Sequence, residues 1–157
     1  MKDIEELKKE YELIRKKFNL PSFEYLDEEF EIRALEINKS GILLKALLRI
    51  ILSKIGLFLN YLDPVVSPNP QSYHSMVELN NISNEDKQKM TLYYRTLSYL
   101  YHEGCAVELK SENHTAEFIK NISEKWPSLK KEESAYLDKI TKAWVAEKQT
   151  EKSSYTG

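Results

Sequence analysis

The stretch SGILLKALLRIILSKIGLFLNYL, residues 40–62, decides the fold class. Set out at the helical step of about 100° per residue, Lys45, Arg49, Ser53, Gly56 and Asn60 gather in one stripe about 80° wide. Leucines and isoleucines, with Phe58 and Tyr61, fill the rest of the circumference, and Lys54 alone interrupts them on the side opposite the stripe. A helix that is apolar almost all round must be covered almost all round. The expectation is a central helix over about 40–62, with other helices packed around it and an acidic partner for Lys54.

A membrane span is the competing reading, because the run is long enough to cross a hydrocarbon core. Its charges argue against it: Lys45, Arg49 and Lys54 would each cost roughly 2.5–3.5 kcal/mol near the centre of a spanning helix. A helix lying on a lipid surface stays open as an interfacial contact, although the polar stripe is thin for that role. A second protein chain covering the surplus apolar side is the other alternative.

Outward from this helix the chain reads as further helices. Ile4, Leu7, Tyr11, Ile14 and Phe18 recur at three- and four-residue steps, and Leu20-Pro21 stops that pattern. Ser22 stands as a cap ahead of Phe23, Leu26 and Phe30, and residues 30–37 read as a connector. Asp63-Pro64 is expected to end the central helix, and Asn69-Pro70 to cap a short one reaching Leu79. Ser83-Asn84-Glu85-Asp86 opens a long helix whose inner face carries Met90, Tyr93, Tyr94, Leu97, Leu100, Tyr101, Gly104 and Cys105. Asn113 is expected to cap a further helix ending at Trp126-Pro127, and Ser128 to cap the last, with Leu129, Tyr136, Leu137, Ile140, Ala143 and Trp144 inside. Residues 149–157 read as a polar C-terminal tail, in which Tyr155 is a candidate docking anchor.

Composition agrees with this outline. The 157 residues make one domain of typical size, assigned to residues 1–148, and 41% hydrophobic content allows a core. Four Gly and five Pro are too few for a many-turned β-sandwich or barrel. One Cys excludes a disulfide framework or a cysteine-based zinc site, and a net charge of −2 excludes a globally basic nucleic-acid binder. The charged first turn carries no apolar signal-peptide core, so a cytoplasmic location is expected.

The motifs of catalysis do not appear. None of His74, His102 and His114 has a Glu three residues before it, as a di-iron bundle needs, and His-Glu-x-x-His is missing too. Cys105 follows His102 by three residues but continues the apolar face, so it reads as a small core residue. Acidic runs such as Asp27-Glu28-Glu29 and Glu132-Glu133 read as solvated faces, and Arg15-Lys16-Lys17 is balanced by nearby acids. No catalytic, cofactor or metal residue is nominated.

Ile4-Glu5-Glu6-Leu7, Phe18-Asn19-Leu20-Pro21-Ser22-Phe23, Ser83-Asn84-Glu85-Asp86-Lys87, Ala116-Glu117-Phe118-Ile119-Lys120 and Trp126-Pro127 give the chain an overall run that resembles an uncharacterised family of small all-helical archaeal proteins. The resemblance implies a cytoplasmic all-helical domain and supplies no activity, cofactor or site residue.

The sequence therefore specifies an all-α bundle of five to seven helices. Its leading functional reading is a non-enzymatic protein-interaction or scaffold domain, open to self-association, with Lys54 and Tyr155 as candidate interaction residues. A small-molecule or lipid pocket among Tyr93, Tyr94, Leu97 and Tyr101 is the alternative, and a nucleic-acid or ribosome-associated role comes third.

Overall fold

In the computed structural model, which describes residues 4–35 and 43–154, the apolar periodicities fold as helices. α1 (Ile4–Phe18) and α2 (Phe23–Phe30) flank Pro21, and a 3-10 turn (Ile32–Ala34) follows. Then come α3 (Leu43–Val66), α4 (Tyr73–Asn81), α5 (Asn84–Glu108) and α6 (Glu112–Ser154). No strand occurs among the described residues, and the chain is an all-α protein. No helix among them is long and apolar enough to cross a membrane.

Helix starts follow the side-chain caps. The Ser22 hydroxyl accepts the Tyr25 amide at 3.2 Å, and the Ser83 hydroxyl accepts the Asp86 amide at 3.1 Å, so α2 and α5 begin where the sequence places them. α4 begins later than expected. The Asn69 side chain takes the Gln71 amide at 3.0 Å in a local turn, and Ser72 caps the helix instead.

Of the three proline stops, α1 does end before Pro21, and the other two are corrected. α3 continues through Pro64 to Val66, and beyond the proline the Ser67 amide still donates to the Asp63 carbonyl at 2.8 Å. α6 runs unbroken through Pro127, so Ser128 caps nothing. Without an amide hydrogen, Pro127 leaves the Ser123 carbonyl open, and the Tyr25 hydroxyl donates to it at 2.8 Å. α6 also starts at Glu112, one residue before the expected cap, and extends to Ser154, so residues 149–154 are helical.

The chain groups into two units: Met1–Gly56 with Leu100–Pro127, and Leu57–Tyr99 with Ser128–Gly157. The sequence, read as one domain, does not announce this grouping. α3 supplies Leu47, Leu48, Ile51 and Ile55 to the core of the first unit and Leu62 and Val65 to that of the second.

In the first unit Tyr11 packs edge-on against Phe23, and Phe30 lies against Trp126 with ring centroids 4.8 Å apart. Gly104 is required here. A β-carbon on it would lie 2.4 Å from Leu52 and 2.9 Å from Phe118, so this turn of α5 packs with no room for a methyl group. In the second unit Val77, Met90, Tyr93, Leu97, Tyr136 and Ala143 are buried, with the Tyr93 and Tyr136 rings 5.3 Å apart.

Candidate functional site

Lys54 finds its acidic partner inside the chain. Its ammonium lies 3.0 Å from the Glu31 carboxylate, within the first unit. Glu31 reaches it from a left-handed backbone position, φ 59°, that closes α2 as its amide donates a hydrogen bond to the Asp27 carbonyl. Nothing local in the sequence couples residues 23 positions apart, and the pairing emerges only from the way α2 ends.

The four candidate pocket residues divide between the units. Tyr93 and Leu97 are buried in the second unit, where the Tyr93 hydroxyl donates to the Leu129 carbonyl at 2.9 Å. Tyr94 is half-buried there, donating to Asp63 at 2.9 Å, whereas Tyr101 belongs to the first unit. Tyr155 lies outside the described residues.

The acidic runs are not wholly solvated, which corrects the sequence reading at two positions. Asp27 is buried in the first unit, where the Arg33 guanidinium and the Arg33 amide both donate to it. Those hydrogen bonds hold its carboxyl below the ordinary range. It lines a depression of about 600 Å³ with Ile4, Lys8, Phe23, Glu31 and others, but its charge is already engaged.

Glu133 is the second correction. Its neighbour Glu132 is exposed, while Glu133 is 1% exposed and neither of its carboxylate oxygens has a hydrogen-bond partner. Burial pushes its carboxyl up to about 7, the Tyr93 hydroxyl beside it pulls it partly back, and the Glu132 charge adds to the rise. A signal was available: residue 133 falls on the spacing Leu129, Tyr136, Ile140, Ala143, inside the apolar stripe of α6.

A third buried carboxylate, Glu78, accepts the Trp144 indole N–H at 3.1 Å and lies 3.4 Å from the His74 imidazole. His74 in turn lies against the Trp144 ring, with centroids 4.7 Å apart. This array orients an exposed imidazole. Among the described residues no group of three or more His, Cys, Asp or Glu is placed to hold a metal ion.

The outward face of α5 in the second unit has a different character. Leu92 is 62% exposed and Tyr99 is 65% exposed, seven residues apart on one side of the helix, with Arg95 between them. A shallow depression of about 510 Å³ on this face is lined by Asn84, Lys87, Gln88, Thr91, Leu92 and Arg95. From Lys87 to His102 the sequence contains no acidic residue. Arg95 has no ion-pair partner among the described residues, whereas Lys89 pairs with Glu85. Sequence reasoning followed the tyrosine stripe on the inner face and passed over this second, outward stripe.

No protein-family model matches the chain, and neither does any curated protein or solved structure.

Proposed function

We propose that the protein is a non-enzymatic protein-interaction domain of the cytoplasm that receives a partner on the outward face of α5. The observation that carries this reading is the exposure of Leu92 and Tyr99 on one helical face, with Arg95 between them. Large apolar side chains at this spacing match the seam that a partner helix uses for docking. Tyrosine and arginine are also the side chains that most often anchor protein interfaces. With no acid on α5 between Lys87 and His102, the complementary partner presents an apolar seam edged by acidic residues.

The test places a photo-activated cross-linker at residue 92 and, as a control, at the exposed Leu13 of α1. Light scattering on the purified chain accompanies it. A specific adduct from position 92 that disappears in Arg95→Glu supports the reading. A dimer that dissociates in Leu92→Asp makes the partner a second copy. A monomer whose two positions give indistinguishable adducts refutes it.

A further inference from the structure

We propose that Glu133 is a proton-operated lock on the second unit: with a proton on its carboxyl the packing of α5 against α6 around it is tight, and on losing that proton the packing loosens. The inference does not depend on the outward face of α5.

The geometry carries it. Glu133 is 1% exposed, and both of its oxygens are buried without a hydrogen-bond partner. An ionised carboxylate can only accept hydrogen bonds, and the Tyr93 hydroxyl beside it already donates its hydrogen to the Leu129 carbonyl at 2.9 Å. A neutral carboxylic acid has a hydrogen of its own. It can donate to the Tyr93 oxygen and complete a line from Glu133 through Tyr93 to the α6 backbone. Ionisation breaks that line and leaves a bare charge in an apolar interior, which is the costliest way to bury a carboxyl.

Among the described residues no cation acts on Glu133. On α6, Glu132 is itself negative and accepts the Tyr136 hydroxyl at 3.1 Å. Lys139 is engaged with Asp86 of α5 at 2.9 Å. α3 turns Asp63 toward Tyr94, and α4 turns Glu78 toward Trp144 and His74. The groups that act on Glu133 are a hydroxyl and a second carboxylate, and neither is a cation.

The sign follows from linkage. A carboxyl whose folded value lies at about 7, above the ordinary value, gives stability that is fully present below the unfolded value and is lost as the pH rises through 7. Between pH 5 and 8 the Glu133 contribution to the unfolding constant is on the order of 50- to 100-fold.

The experiment compares the full chain with Glu133→Gln by denaturant unfolding at both pH values. The ratio of the two unfolding constants is expected to rise by that factor from pH 5 to 8, because all other titrating groups cancel in it. A ratio that stays within about threefold overturns the inference. Carbon-13 NMR of the Glu133 carboxyl in the unmodified chain supplies a readout that does not need the variant to fold. A midpoint near 7 supports the lock, and one in the ordinary carboxylate range overturns it.

Discussion

The Tyr25 hydroxyl stands 2.8 Å from the carbonyl oxygen of Ser123, the carbonyl that Pro127 deprives of its helical amide donor. A side chain 98 residues away in sequence therefore repairs a backbone defect in α6. Tyr25→Phe is expected to destabilise the chain by about 1–2 kcal/mol, since a largely covered carbonyl is then left open. In a Pro127→Ala background the alanine amide serves the same oxygen, and the cost of Tyr25→Phe should fall toward zero. A double-mutant cycle in urea reads the coupling, and additive effects would contradict the repair.

The Lys54 and Glu31 pair is partly exposed, so its strength is modest. Lys54→Glu places two carboxylates together and should lower stability by about 0.5–1 kcal/mol. The exchanged pair, Lys54→Glu with Glu31→Lys, should recover most of it. Salt should shrink both differences.

Gly56 and Gly104 sit in helices but have opposite surroundings. A β-carbon on Gly56 meets Tyr101 at an ordinary 3.6 Å, so Gly56→Ala should raise stability by about 0.5–1 kcal/mol through helix propensity alone. At Gly104 the same substitution pushes on Leu52 and on Phe118, both buried, and a net loss of roughly 1–2 kcal/mol is expected. Thermal unfolding of the two variants should move in opposite directions.

Arg33 controls the acid side of the stability profile. Its hydrogen bonds hold the Asp27 carboxyl below the ordinary value, so their contribution is present above the unfolded value and fades as the pH falls through the folded one. Arg33→Ala should lower stability at neutral pH, and only modestly because the guanidinium is solvent-exposed. As the pH falls through the folded value the difference from the parent chain should narrow, because a protonated Asp27 no longer needs the guanidinium.

On the outward face of α5, Leu92→Asp and Tyr99→Ser remove exposed apolar surface and should leave the unfolding free energy within about 0.5 kcal/mol of the parent. Circular dichroism checks this. A large loss of stability would mean that these side chains pack within the chain.

What the sequence made legible was set by local chemistry. Ser22 and Ser83 cap helices through bonds three residues away, and the apolar circumference of α3 follows from its own spacing. Distance in sequence hid the rest. Pro127 reads as a stop because the donor that excuses it is Tyr25, and Lys54 lacks a visible partner because Glu31 reaches it from a left-handed turn. Glu133 shows a different failure. Its place in the α6 stripe was readable, but an acid beside another acid reads as surface unless the period is followed through it. The outward stripe of α5 was eclipsed by the stronger inner one.

Buried phenols give each unit its own optical gauge. Burial holds the hydroxyl of Tyr11, in the first unit, and that of Tyr93, in the second, well above the ordinary phenol value. Both donate to main-chain carbonyls, of Pro21 and Leu129 respectively. In an alkaline titration, phenolate absorbance should therefore arrive in separate waves. Tyr11 and Tyr93 ionise late, only as the packing around each gives way. Replacing one or the other by phenylalanine would show which unit opens at which pH, without any label being attached.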